Sequence, residues 1–249
     1  MWNKAWVWLF FILCSLQSGQ PLAAQELLVL TEDLAPLNYQ KQGQLTGYGT
    51  ELLQAMLAQS KISAEFKVQP WTRSYQQALT QPNSLIYSIA RTREREELFE
   101  WIGPISPRRI CLIKLKSRTD IHLKELSELS RYKLGLVREM ASSKLLMSKN
   151  LVADSAYDFA PSGESNIRKL MAGRVDLIVG SDWVTFYEAR KLTGKKHNFE
   201  VVWVLDESSP YYFALNKESD AQLIKRLRNA FEKLKAEGQV EKLRAKYAE

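Results

Sequence analysis

LLVLTEDLAP, residues 27–36, places an unbroken apolar run directly before a polar turn. A short apolar run bounded by turn signals is typical of a strand that is buried on both faces of a parallel sheet. Apolar side chains then recur at helical spacing at Leu52, Leu53, Met56 and Leu57, which predicts a helix that packs on that strand. This stretch therefore indicates the first strand–helix unit of an α/β fold.

The remainder of the chain repeats the alternation of strands and helices. We expect further strands at 66–68, 85–89, 110–115, 133–137, 176–179 and 211–215, with helices between them and at the C-terminus. The polar stretch 116–120 and the stretch 201–205 are candidate crossings between two such series. The pattern predicts two lobes of parallel-rich sheets flanked by helices, one formed by 25–115 with 206–249 and the other by 116–205.

The first two dozen residues have the features of a secretory signal peptide. Lys4 supplies a positive charge, 5–16 is apolar except for Ser15, and small residues precede a cleavage site after Ala24. This order predicts that 1–24 is removed and that the mature protein is periplasmic. The alternative is a retained N-terminal anchor.

Charge and cysteine content limit the classes of function. The formal net charge is +7, which suits acidic ligands or describes a solvated basic surface. Basic residues near the C-terminus alternate with Glu232, Glu237 and Glu241, which argues against a nucleic-acid partner. Once the leader is removed Cys111 is the sole cysteine, so we interpret it as a small buried apolar residue.

Several motifs occur in a fixed order along the chain: TED at 31–33, PLNY at 36–39, GYGTELL at 47–53, RTRER at 91–95 and GRVDLI at 173–178. In this order they resemble the family 3 extracellular solute-binding proteins, which serve ABC import systems and bind polar amino acids. The resemblance covers the mature chain. It implies the two-lobed type II periplasmic-binding fold with two interlobe crossings.

The resemblance also implies which residues of the first lobe bind a ligand. The family's carboxylate-clamping arginine falls on Arg95, and a guanidinium suits that role because it donates two parallel hydrogen bonds. The other positions implied in this lobe are Glu32, Asp33, Trp71, Arg73, Ser88, Ala90 and Arg91. Two alternatives stay open: Arg95 as a surface residue in ion pairs along a helix, and Trp71 as part of the core.

In the second lobe the resemblance implies a basic position at Arg138 and a carboxylate-receiving helix start at Ser142. The family's aspartate that pairs with a ligand's α-ammonium falls nearer Ser181 than Asp182. A desolvated ammonium must be paired, so a ligand that Asp182 does not reach would lack that group. Because Arg73, Arg91, Arg95 and Arg138 all fall near the expected cleft, we predict a ligand more negative than a simple amino acid.

The sequence thus predicts a monomeric, non-enzymatic binding protein with no cofactor and no metal. It would capture an amino acid or small carboxylate by hinge closure and pass it to an ABC permease. Two alternatives remain: a sensor that acts through a membrane receptor, and an enzyme of dehydratase or lyase type. The enzyme reading has little support, because catalysis needs a positioned acid or base and His122 and His197 both lie in polar stretches.

Overall fold

The computed structural model of the protein describes residues 27–137, 140–194 and 198–248. The predicted signal peptide lies outside these residues. The strands are β1 (Leu27–Thr31), β2 (Tyr39–Lys41), β3 (Gln44–Thr46), β4 (Ala64–Val68), β5 (Ser84–Ala90), β6 (Phe99–Ser106), β7 (Ile110–Leu115), β8 (Leu134–Val137), β9 (Tyr157–Ala160), β10 (Leu177–Ser181), β11 (Phe199–Asp206) and β12 (Tyr211–Asn216).

The helices are α1 (Tyr48–Ser60), α2 (Trp71–Thr80), α3 (Ala141–Ser148), α4 (Gly163–Met171), α5 (Asp182–Thr193), α6 (Ala221–Ala236) and α7 (Gln239–Ala248). Short 3-10 helices occupy Arg93–Leu98, Leu126–Arg131 and Asp154–Ala156. Within the described ranges, no helix combines the length and apolar character that crossing a membrane requires.

The first sheet has the strand order β4-β1-β5-β12-β6. Strand β1 runs parallel to β4 and β5, whereas β12 runs antiparallel to both β5 and β6. Successive residues of a strand point to opposite faces. Leu27 and Val29 accordingly face the core that α1 and α6 complete, and Leu28 and Leu30 face the core on the α2 side. The apolar run of β1 is continuous because both of its faces are buried.

The second sheet has the order β11-β7-β10-β8-β9, with β8 parallel to β9 and β10 and with β7 antiparallel to β10 and β11. Its two faces also carry separate cores. Leu112 and Val179 belong to the core on the α3 side, whereas Cys111 and Ile178 pack with residues of α4 and α5. Cys111 is fully buried, as expected. The two sheets confirm the predicted α/β fold with two bodies of parallel-rich sheet flanked by helices.

The chain passes between the sheets at 107–109 and again at 207–210. Strand β7 (Ile110–Leu115), which we had placed in the first lobe, pairs within the second sheet, and 201–205 belongs to strand β11 rather than to a crossing. The predicted boundary at 115/116 is thus six residues too late. The apolar run of β7 does not indicate which of the two sheets the strand joins. The polar stretch 116–120 that follows it has the composition of a linker, so the boundary was placed there.

Candidate functional site

The candidate site lies where the parallel strands of both sheets end. In α/β sheets, ligands bind beyond the carboxyl ends of the strands, where the following helices begin. In the first sheet these ends lead to Glu32 after β1, to Trp71 at the start of α2 and to Arg91 after β5. In the second sheet, β8 leads toward α3, and β10 ends at Ser181.

Arg95 is held in place by one hydrogen bond and two aromatic rings. One of its terminal guanidinium nitrogens donates to the carbonyl of Ala90 at 3.2 Å. The guanidinium carbon lies 5.3 Å from the ring centre of Trp71 and 5.1 Å from that of Tyr75, within the range of cation–π attraction. In the part of the chain that the structure describes, no carboxylate pairs with Arg95. Its remaining N–H groups are therefore available to an anion.

Tyr75 is a residue of this cluster that the sequence reading missed. Its ring stacks on Trp71 with centroids 5.6 Å apart and an interplanar angle of 27°. The two residues are four positions apart on α2, so they share one face of the helix. That spacing is the signal that could have identified Tyr75. Trp71 itself is half-buried against the core on the α2 side, and it serves both packing and the support of Arg95.

Arg91 and Arg73 differ sharply in their surroundings. The guanidinium of Arg91 donates to both carboxylate oxygens of Glu96, one of them at 2.8 Å from Nε. Its carbon also lies over the rings of Trp101 and Tyr212. These contacts raise the pKa of Arg91, with the Glu96 hydrogen bond as the largest cause, and the charge of Arg91 is already balanced. Arg73 is exposed in the first turn of α2.

Ser88 stands at an irregularity of strand β5. Its φ angle is +55°, and the pairing of β5 with β12 skips it between Tyr87 and Ile89. Its hydroxyl is buried and has no hydrogen-bond partner among the described residues. It lies 2.8 Å from the point where a Cβ on Gly49 would stand. The hydroxyl therefore rests against the start of α1. Ala90, two residues on, contributes its carbonyl to Arg95.

Two carboxylates follow β1. Glu32 is half-buried, and burial together with the negative charge of Asp33 raises its pKa to about 7. Asn38 donates to the backbone carbonyl of Glu32 at 2.7 Å and fixes the turn. Asp33 is exposed. The site thus holds one acid that is partly protonated near neutral pH and one at the surface.

In the second lobe the described candidates are Ser142, Ser181 and Asp182, since Arg138 lies outside the described residues. Ser142 is buried at the start of α3. The neighbouring Ser143 accepts a hydrogen bond from the backbone N–H of Val137 at 3.1 Å, which ties α3 to the end of β8.

Both carboxylate oxygens of Asp182 already have partners within the protein. One carboxylate oxygen accepts from the backbone N–H of Trp183 at 2.7 Å, and the other lies 3.4 Å from a guanidinium nitrogen of Arg109. Ser181 precedes it as the cap residue of α5 and contacts the buried Tyr211 of the first sheet.

The crossings hold a second cluster that the sequence reading missed. Arg108 is nearly buried, lies 3.5 Å from a carboxylate oxygen of Asp206, and stands 5.9 Å from the ring centre of Tyr211. Burial raises the pKa of Tyr211, while Arg108 and a hydrogen bond with Ser181 act in the opposite direction. Through these contacts the crossings are connected to Ser181 at the end of β10 and to Tyr211 at the start of β12.

Helix α5 also contacts the first lobe through its aromatic side chains. The Trp183 indole N–H donates to the carbonyl of Tyr247 at 3.1 Å, and its ring lies 5.5 Å from that of Tyr48. The hydroxyl of Tyr187 donates to that of Tyr39 at 3.1 Å. We call this set the α5 contact. It lies on the α1 side of the first sheet, whereas Arg95 and Trp71 lie on the α2 side.

The residues described do not bring three potential metal ligands of His, Cys, Asp or Glu type together. The site is instead built from guanidinium groups, aromatic rings, hydroxyls and helix starts. Such groups bind a small anion by charge-assisted hydrogen bonds.

Known proteins share the sequence pattern and the fold of this chain. Residues 27–249 match the model of the bacterial extracellular solute-binding proteins, family 3. The probable amino-acid-binding protein YxeM of Bacillus subtilis (strain 168) is 24% identical over 213 residues, which cover 85% of this chain and 79% of that protein.

Solved structures share the fold at low identity. A histidine kinase sensor domain with similarity to periplasmic binding proteins superposes with a TM-score of 0.75 at 20% identity, covering 90% of this chain and 96% of that one. An ancestral arginine-binding protein bound to arginine gives 0.71 at 21% identity, with 89% and 97% covered. The ancestral amino acid-binding protein AncCDT-1, a precursor of cyclohexadienyl dehydratase, gives 0.71 at 20% identity, with 90% and 95% covered.

Proposed function

Because the chain belongs to the bacterial extracellular solute-binding proteins of family 3, we propose that it captures a small polar solute, amino-acid-like or anionic, between its two lobes. Arg95 carries this proposal. Its guanidinium is oriented by Ala90, Trp71 and Tyr75 and has no carboxylate partner among the described residues. A cation that is held in position without an ion pair is suited to receive the carboxylate of a ligand.

The proposed mechanism is closure of the lobes about the two crossings. The ligand's carboxylate binds Arg95 in the first lobe, and the start of α3 at Ser142 approaches it from the second. A ligand that contacts both lobes binds the closed form better than the open form, so it shifts the population toward closure. The Arg108–Asp206 pair lies between the crossings and would hold them together while the lobes move.

The partner in this account is an ABC permease that recognises the closed form. The predicted leader directs the protein to the periplasm, and the family consists of extracellular binding proteins. The amino-acid-binding description of the Bacillus relative supports a solute of that size.

Sensing is the second candidate function. The superposition with a histidine kinase sensor domain favours it, because the same closing movement can be read by a membrane receptor instead of a permease. If import is correct, deletion of the partner permease abolishes uptake of the solute. A sensor would leave uptake intact and change gene expression.

We propose no chemical reaction for the site. Glu32, whose pKa lies near 7, is the described residue that a dehydratase or lyase would use as an acid. His122 is exposed on a loop. Recovery of an unchanged compound after incubation with the protein supports binding alone, and its conversion would establish an enzyme.

A thermal-shift screen of the mature protein tests the proposal. Amino acids, dicarboxylates, 2-oxo acids and small peptides are each added at millimolar concentration. A compound that binds the folded state raises the melting temperature by mass action. We expect a shift with one class of carboxylate, and cationic amino acids as the sole binders would contradict the prediction of a ligand more negative than a simple amino acid.

A further inference from the structure

Helix α5 belongs to the second lobe but also packs against the first. It follows β10 of the second sheet, and its Ala189 lies in the core on the α4 and α5 side of that sheet. Trp183 and Val184, in the first turn of α5, instead pack against the core on the α1 side of the first sheet. Burial of apolar surface favours this attachment, and every group in it belongs to the protein. The α5 contact therefore requires no solute.

Two hydrogen bonds at separate points of α5 fix its direction on the first lobe. The Trp183 indole N–H donates to the carbonyl of Tyr247, and the Tyr187 hydroxyl donates to that of Tyr39, each at 3.1 Å. Trp183 and Tyr187 are four positions apart, so they lie on one face of the helix. The guanidinium carbon of Arg190 lies 5.5 Å from the Tyr187 ring centre and supports that ring. A helix that is held at two points along its length cannot swivel on the surface it contacts.

The first-lobe groups that receive α5 are connected to one another. Tyr39 of β2 pairs with Thr46 of β3, whose hydroxyl lies 3.2 Å from that of Tyr247 on α7. The Tyr247 hydroxyl also donates to a carboxylate oxygen of Glu51 on α1, and Lys246 donates to both oxygens of that carboxylate. The β2–β3 hairpin, α1 and α7 thus form one connected support for α5.

The α2 side of the first lobe has no comparable attachment. Ser74 donates to the carbonyl of Thr31, and the carbonyl of Ala78 accepts from Asn216, all within the first lobe. Among the described residues, no hydrogen bond or ion pair joins α2 to the second lobe. Two bodies that are joined at the crossings and along one side keep a rotation about the line through those attachments. Such a rotation moves the α2 side relative to the second lobe.

From this asymmetry we propose that the α5 contact is a fixed attachment that stays in place while the lobes close on a solute. It confines closure to a rotation about a line through the two crossings and the contact. Trp183 and Tyr187 are then positioning residues, which act on affinity through the orientation of the lobes and not by touching the solute. If the contact is lost, binding must also restrict the freed lobes, and freedom that is lost on binding weakens affinity. This role goes beyond the capture of a solute and does not depend on its identity.

Two pairs of spin labels test the proposal. Gln54→Cys on α1 and Lys191→Cys on α5 replace exposed residues and carry one pair, and Gln76→Cys on α2 with Lys149→Cys after α3 carries the other. The solute is the compound that gives the largest thermal shift. We expect it to shorten the α2–α3 label distance and to leave the α1–α5 label distance constant. A change of the α1–α5 distance as large as that of the α2–α3 distance overturns the proposal.

A double variant removes the two hydrogen bonds and keeps aromatic rings at both positions. Trp183→Phe combined with Tyr187→Phe should broaden the distribution of the α1–α5 label distance in the protein without solute. We expect the dissociation constant, measured by calorimetry, to rise about threefold to tenfold, the factor to which the net free energy of a hydrogen bond corresponds. Tyr132→Phe is the matched control, because it removes a tyrosine hydroxyl on the α3 side of the second lobe. The control should leave both the distribution and the affinity as in the wild type, and melting temperatures show that the variants fold.

The label distances decide the proposal even if the proposed function fails. A folded double variant with the wild-type distance distribution overturns the fixed attachment, whether or not a solute has been found. A broadened distribution with unchanged affinity overturns the role of Trp183 and Tyr187 in binding. Failure of every compound to bind contradicts the proposed function, and the distribution measured without solute then decides whether α5 is held as proposed.

Discussion

In its proposed role as a ligand-binding residue, Arg95 depends on its neighbours for its orientation. A free arginine side chain has many rotamers, and ordering it on ligand binding costs conformational entropy. In the folded protein the Ala90 carbonyl and the rings of Trp71 and Tyr75 already hold the Arg95 side chain in place. This conformational entropy is therefore lost on folding rather than on ligand binding. A ligand that binds as proposed would therefore meet a guanidinium that is already oriented.

We expect Arg95→Ala to weaken binding of the ligand found in the screen by about 1.5–3 kcal/mol, the range of hydrogen bonds to charged groups. Arg93→Ala is the matched control, because Arg93 is exposed two residues earlier in the same 3-10 helix. Calorimetry on both variants measures the effect. Equal affinities for Arg95→Ala and Arg93→Ala would remove Arg95 from the site.

Glu32 makes stability depend on pH. The folded protein holds its proton up to about pH 7, whereas an ordinary glutamate releases it near 4.5. Between these values the folded state binds more protons than the unfolded state, so the free energy of unfolding falls as pH rises. The stabilisation is complete below 4.5 and is lost above 7.

Glu32→Gln lacks this titration. Relative to the variant, we expect the wild type to lose about 1–3 kcal/mol of unfolding free energy between pH 4.5 and 8, since one pKa unit corresponds to about 1.4 kcal/mol. Urea denaturation at several pH values measures the difference. Glu65→Gln, at an exposed glutamate, is the control, and parallel curves for wild type and Glu32→Gln would contradict the assignment.

Among the elements, the start of α1 depends on a glycine that no other residue can replace. Gly47 has a φ angle of +114°, and a Cβ there would stand 2.5 Å from the carbonyl oxygen of Leu37. The obstacle is backbone, which cannot rotate away as a side chain would. The start of α1, which lies next to Ser88 of β5, therefore requires a glycine at position 47.

Gly47→Ala should destabilise the protein by about 3 kcal/mol, through backbone strain and the steric overlap together. Gly43→Ala provides the comparison, because Gly43 also has a positive φ of +79° but open space around its Cβ position. We expect that change to cost about 1 kcal/mol. Denaturant unfolding of the two variants measures both values. Equal losses of unfolding free energy would show that the steric overlap with Leu37 does not affect stability.

The α5 contact is the element-scale link between the lobes. Trp183→Phe keeps a ring against Tyr48 but removes the N–H that donates to Tyr247. We expect a loss of about 1 kcal/mol of stability, the usual net value of one hydrogen bond. Phe186→Leu, at an exposed position of the same helix, is the control in a melting experiment. A melting temperature of Trp183→Phe equal to that of the wild type would contradict the contact.

How far the sequence predicts these elements depends on the range of the interaction. The buried strands β1, β5 and β10 and the helix α1 follow from apolar patterns within a dozen residues, and they were predicted. The sheet that β7 joins depends on pairing with β10 and β11, whose paired residues lie 65 to 96 positions away, and a local pattern carries no such information.

The same distinction applies to the candidate site. The family resemblance implied Arg95, Trp71 and Ala90 as ligand-binding residues of the first lobe. The structure places these three in contact, and their binding of a ligand stays a prediction. The pairing of Arg91 with Glu96 depends on a chosen rotamer within a charged run, so it could not be predicted. The engagement of Asp182 by Arg109 depends on the crossing, whose position the sequence reading placed wrongly.

At the scale of the whole molecule, two crossings join the two sheets, and the proposed ligand residues lie at strand ends of both sheets. We propose that a carboxylate bound at Arg95 draws the two lobes together. Labels on helices that begin at the site report such a movement directly. Gln76 on α2 and Lys149 after α3 are exposed, and the buried Cys111 would not compete for a thiol-specific label.

The measurement is the distance between spin labels at Gln76→Cys and Lys149→Cys, with and without the compound that gives the largest thermal shift. We predict that the compound shortens this distance in the wild-type background and leaves it unchanged when Arg95→Ala is added. A compound that binds at full affinity while the label distance stays constant would contradict the account.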